Sequence, residues 1–155
     1  MSKRKIKANI QRFKTQILPV VFIFGKPSGS GIECLFYKRS DNAKKGYKIY
    51  ETHGEAVAAQ KRQERAYNAG IAPKAGPIFL SVIYSKYHCH EIGYGYETQI
   101  AKPVKKKFFN KHKEKIKSKL NKMKIETLDL WPHNCGQIRN KLVMVDFGNA
   151  SCKLY

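Results

Sequence analysis

Two short segments in the last third of the chain carry side chains suited to phosphoryl chemistry. Asp129 stands five residues before Asn134, in Asp129-Leu130-Trp131-Pro132-His133-Asn134. Twelve residues after Asn134 comes Asp146-Phe147-Gly148, preceded by the apolar run Leu142-Val143-Met144-Val145. In such a pair, the first carboxylate orients an acceptor hydroxyl and takes its proton. The amide and the second carboxylate supply oxygens for Mg²⁺, which neutralises phosphate charge. An isolated Asp-Phe-Gly is common; the two segments at this spacing, with a strand between them, are not.

The residues around these segments predict the elements that hold them. Residues 104–124 read as a long helix whose apolar side is Phe109, His112/Lys113, Ile116, Leu120 and Met123. Residues 125–148 read as a loop and a hairpin that turns at Arg139-Asn140-Lys141 and returns along Leu142 to Val145. Upstream, three β-branched or aromatic runs, 20–24, 34–38 and 46–50, are separated by a Gly/Ser turn over 25–31 and a polar turn over 40–45, which suggests a meander. Residues 53–69 read as a helix with Ala56, Ala59, Gln60, Gln63, Ala66 and Tyr67 on one face, stopped by Gly70. Two further strands, 78–84 and 91–99, follow. Before all of these, residues 3–17 predict a short basic amphipathic helix.

In this order the segments resemble compact protein-kinase-like proteins of the Rio and aminoglycoside-phosphotransferase types, and short phage-encoded kinase-like proteins even more. The stretch from Asp129 to Gly136 is similar to their D-L-H-P-x-N-x-G loop. Ala69-Gly70-Ile71-Ala72-Pro73 resembles the segment after their first helix, and Gly93-Tyr94-Gly95-Tyr96-Glu97-Thr98 their hinge strand. The resemblance implies an α+β fold in a single domain over residues 1–155. Residues 1–101 form a kinase-like N-lobe, an antiparallel sheet of about five strands with one inserted helix. Residues 102–155 form a truncated C-lobe of one long helix and the catalytic-loop hairpin.

The resemblance also assigns roles, with ATP and Mg²⁺ as cofactors. Asp129 is the catalytic base, and Asn134 and Asp146 are the metal ligands. Gly29, Ser30 and Gly31 approach the phosphates. Lys48 pairs the α- and β-phosphates. Glu97, Thr98 and Gln99 lie where the nucleotide base is met. An acid on the following helix should pair with Lys48. Its expected place falls at Ala59 or Gln60, so Glu55, one turn earlier on the same face, is the candidate.

The pattern has departures. Cys34 replaces a third glycine, and Thr127-Leu128 replace the His-Arg that precedes the base in protein kinases. Seven residues follow Gly148, so no A-P-E segment or helical substrate lobe is expected within this sequence. His133 reads as a packing or hydrogen-bonding residue and Trp131 as core, with ligand stacking as the latter's alternative.

The formal net charge is +20, and eleven lysines between Lys102 and Lys124 face one acid, Glu114. Such a field draws polyanions, although a lysine run is ordinarily a solvated helix face. Three functions stay open. One is a minimal kinase acting on a protein hydroxyl or on itself, as a phage effector on host proteins. Another is a catalytically weak, pseudokinase-like binder that blocks a host factor through its basic surface. The third is a nucleic-acid binder. A second copy of the chain could supply missing walls of the site. Four dispersed cysteines without a C-x-x-C pair suit free thiols in a reducing cytoplasm, the host's if the chain is phage-encoded, and no run is long enough to span a bilayer.

Overall fold

Val20–Phe24, five β-branched or aromatic residues, form strand β1 in the computed structural model. The structure describes residues 17–30, 34–84, 90–127, 130–147 and 152–154. The helix expected over 3–17 lies outside them apart from its last residue, as do Gly31, Asp129 and Gly148.

After β1 come β2 (Gly29–Ser30), β3 (Cys34–Lys38), β4 (Lys45–Tyr50), helix α1 (His53–Asn68), β5 (Phe79–Tyr84) and β6 (His90–Gln99). These strands form one sheet in the order β1-β5-β6-β4-β3-β2. The expected meander is corrected here. β1 does not lie beside β3; it runs parallel to β5 at the opposite edge, with Val20 opposite Leu80 and Phe24 opposite Tyr84. Gly25, at φ 98°, turns the chain while its N–H still bonds the Tyr84 carbonyl at 3.2 Å. The glycine hairpin is therefore β2–β3, and the sheet has six strands with one parallel pair. Periodicity predicts that a run is a strand, but a strand neighbour 60 residues away leaves no local mark.

Helix α1 starts in a capping box. The Thr52 hydroxyl accepts from the Glu55 N–H at 3.2 Å, and the Glu55 carboxylate accepts from the Thr52 N–H at 3.1 Å. Ala56 and Ala59 are buried with Tyr50 and Tyr96 of the sheet, and small side chains let the helix sit close. Gly70, at φ 75°, ends the helical segment, as its position predicts.

The second half comprises β7 (Lys102–Pro103), helix α2 (Lys106–Lys122), β8 (Ile125–Thr127), a 3₁₀ turn over Pro132–Asn134, β9 (Cys135–Ile138), β10 (Lys141–Met144) and β11 (Cys152–Leu154). β9 and β10 pair as the expected hairpin, with Arg139 at φ 54° in its turn. Helix α2 lacks a side-chain cap and begins with lysines, a poor match to the helix dipole. Burial of Phe109, Ile116 and Leu120 offsets this, at about 1.5–3 kcal/mol for each side chain. These pack with Leu142, Met144 and Phe147, and with Ala66 and Ile71 from the first half, in one core. The Met144 N–H also bonds the Ile71 carbonyl at 2.8 Å. The segment after α1 and the strand before Asp146 are thereby joined.

Candidate active site

Lys48 is 7% exposed, in the middle of β4. Strand alternation turns Lys48 and Tyr50 toward α1, together with Tyr96, which lies opposite Lys48 on β6. The neighbouring Gly95 allows the two strands to meet, since a Cβ there would stand 2.3 Å from the Lys48 carbonyl oxygen. In the same cross-strand row, Phe36 of β3 faces Lys48, and Gly29 of β2 faces Phe36. The glycine hairpin thus lies two strands from the lysine, roughly 10 Å at ordinary strand spacing.

The partner from α1 is Gln63, which is fully buried. Lys48 Nζ donates to Gln63 Oε1 at 3.1 Å, and the Tyr96 hydroxyl donates to the same oxygen at 3.1 Å. Gln63 Nε2 donates to the Pro73 carbonyl at 3.0 Å and to Thr98 Oγ1 at 2.7 Å. Burial pushes the Tyr96 phenol well above its usual range, which keeps it a donor. Glu55, the expected acid, is instead committed to the capping box at Thr52. It stands eight residues, about 12 Å, before Gln63 along the helix. The residue that meets Lys48 from α1 is thus an amide, where the expectation was an acid.

Lys48 Nζ also donates to the Val145 carbonyl, one residue before Asp146. The Phe147 ring lies 5.6 Å from Nζ, within cation–π range. Buried Arg62, a second residue that sequence reasoning missed, donates from Nε to the Phe147 carbonyl at 2.9 Å. Residues 145 and 147 are thus gripped by cations from β4 and α1, with half-buried Asp146 between them. The Val145 N–H bonds the Asn134 carbonyl at 2.9 Å. The loop of Asn134 and the segment of Asp146, twelve residues apart in sequence, are therefore hydrogen-bonded neighbours. Among the described residues no three His, Cys, Asp or Glu side chains cluster to hold a metal.

Glu97 lies on the other face of the sheet, opposite Tyr47. Its carboxylate bonds Lys45 at 2.8 Å and also Arg39. Burial raises its pKa, but the Lys45 and Arg39 bonds outweigh this and hold it below the usual carboxylate range. The Glu97 carbonyl accepts from Gly76, and Ala75 bridges Thr98, so both edges of β6 are paired at these two residues. Gln99 is exposed at the strand end. Two packing expectations are corrected: Trp131 is 57% exposed, and His133 is exposed as well. The 3₁₀ turn at Pro132 directs both outward while Asn134 is buried. Cys34 and Cys135 are thiols, and burial pushes that of Cys135 up to about 12.

No family model matches the sequence, and no curated protein does. Among solved structures, 22 chains match. One is the L. pneumophila effector kinase LegK7, solved in complex with human MOB1A, at a TM-score of 0.53 and 10% identity over 97% of this chain.

The fold is kinase-like.

The chain spans 33% of the length of that kinase. In kinase-like terms the sheet and α1 make an N-lobe, and α2 with the β9–β10 hairpin makes the part of a C-lobe that carries Asn134 and Asp146. Among the described residues no helix is long and apolar enough to cross a membrane.

Proposed function

We propose that this chain is a minimal kinase-like phosphotransferase that uses ATP and Mg²⁺ to phosphorylate a protein hydroxyl, on a host protein or on itself. One observation carries the reading. A buried strand lysine, Lys48, is hydrogen-bonded both to the helix residue Gln63 and to the backbone beside Asp146. The donor set of Asn134 and Asp146 is an amide and a carboxylate, the hard oxygens that Mg²⁺ takes alongside substrate phosphates and water. When bound, the metal neutralises phosphate charge. Lys48 exchanges the Val145 carbonyl for phosphate oxygens. Gln63 holds its ammonium in register, and Arg62 holds the segment that presents Asp146. The β2–β3 hairpin, with Gly29 and Ser30, covers the phosphates. Because Glu97 and Thr98 are paired on both edges, the base is met from the strand end at Gln99 onward. Asp129 accepts the proton of the acceptor hydroxyl as its oxygen bonds phosphorus and the bond to the leaving nucleotide oxygen breaks.

Gln63 also favours a second reading, a weakly active kinase-like protein that binds and blocks a host factor. A neutral amide orients a lysine less strongly than a carboxylate does. Thermal unfolding with millimolar Mg-ATP separates the two. Stabilisation that Asp146→Asn abolishes supports nucleotide chemistry. No shift in the wild type, together with no transfer from labelled ATP to host lysate or to the chain, sinks the phosphotransferase.

A further inference from the structure

We propose that the lysine face of α2 and Trp131 form a docking groove for single-stranded nucleic acid. The groove has a volume of about 400 Å³ and runs between one stripe of α2 and the loop at 130–132. Lys106, Lys113 and Lys117 line the helix side, with Asn110 and Asn121 between and beyond them. Along the helix the lysines stand roughly 10 and 6 Å apart, a ladder of positive charge parallel to the groove. Among the described residues Glu114 is the one carboxylate in its wall. Trp131 forms the opposite wall, with more than half its surface in solvent.

The lysine run encloses two aromatics, Phe108 and Phe109, which pack in the core. Folding brings an exposed indole against the run from 14 residues beyond Lys117. A cationic track with an aromatic platform is the combination that holds a single strand, phosphates on the track and a base stacked on the ring. Among the described residues the groove wall has no arginine. An acidic or phosphorylated peptide is held best by the bidentate arginine fork, whereas lysines act as point charges along a phosphodiester chain. A duplex keeps its bases stacked inside and offers Trp131 none.

Trp131 is the sole tryptophan, so its emission reads this groove directly. The test titrates the full chain with oligodeoxythymidylate about a dozen nucleotides long, within the usual site size for such binders. Emission is expected to be quenched on binding. The triple variant Lys106→Gln, Lys113→Gln, Lys117→Gln should bind at least ~10-fold more weakly, and its salt slope should fall by about 2 for three lost phosphate contacts. Trp131→Ala, followed by anisotropy of a labelled strand, should lose ~10-fold. Lys44→Gln, Lys61→Gln, Lys74→Gln, with the same charge change away from the groove, should bind nearly as the wild type does. Circular dichroism checks that each variant is folded. Binding without quenching, equal weakening by the two triple variants, or equal quenching by polyglutamate of matched charge overturns the proposal.

Discussion

Lys48 Nζ and Gln63 Oε1 lie 3.1 Å apart, so the residue of α1 that meets this buried lysine is a neutral amide and not a carboxylate. Gln63 does more than hold the lysine. It joins β4, β6 and the Pro73 segment through four hydrogen bonds, and it has no exposed surface. Truncation to alanine leaves a cavity and takes one hydrogen bond each from a buried ammonium, two hydroxyls and a carbonyl. Gln63→Ala is expected to cost about 2–5 kcal/mol in urea unfolding. Gln63→Glu keeps the Lys48 bond and loses both donors, so it should cost less while enlarging the Mg-ATP thermal shift.

Glu55 tests the same question from the other end of the helix. Its carboxylate closes the capping box with Thr52. Glu55→Ala should lower stability by ~1 kcal/mol through the lost cap. The Mg-ATP shift should be unchanged. A lost shift with stability intact would return Glu55 to the nucleotide site.

Gly95 seats the Lys48 backbone. An added Cβ would lie 2.3 Å from the Lys48 carbonyl oxygen and 2.6 Å from Ile49 Cδ1. The backbone oxygen cannot swing aside as a side-chain tip can. Gly95→Ala should destabilise by about 1–3 kcal/mol and reduce the response to nucleotide. Gly29→Ala is the contrast, because its Cβ would meet only Phe36 Cβ at 3.9 Å, an ordinary contact.

The Arg39–Glu97–Lys45 cluster gives stability a pH dependence. Glu97 has a lower pKa folded than unfolded, so its contribution is present above the ordinary glutamate range and disappears as pH falls through the folded value. The Glu97 side chain is 27% exposed, so the contribution is modest, about 0.5–1 kcal/mol at neutral pH. Glu97→Gln should lose this amount at pH 7 and match the wild type well below pH 4, measured by denaturant midpoints across the range. Added salt should shrink the difference.

The reading of elements along the chain agrees closely with the structure where a local signal exists. β1 and β3 coincide with their expected runs, and β4, β5, β6, α1 and α2 differ by a residue or two at their ends. Phe109, Ile116 and Leu120 are buried on α2 as their spacing predicts. The proximity of Asn134 to the Asp146 segment follows from two motifs and the strand between them. Errors arose where the answer lay in a distant neighbour. β1 moved to the far edge, Gln63 replaced Glu55, and Trp131 turned outward.

Local periodicity and motif spacing were enough to name β1, β3, β4, β5, β6, the β9–β10 hairpin, helices α1 and α2, and the loops of Asn134 and Asp146, because each is written within about 20 consecutive residues. The partner of Lys48, the parallel seat of β1 and the meeting of Trp131 with the α2 lysines emerged only on folding. Each is a contact between segments whose pairing is set by burial and by hydrogen bonds that a buried polar group must find somewhere. Gln63 had four such bonds to make, and nothing in its neighbours along the chain says with whom.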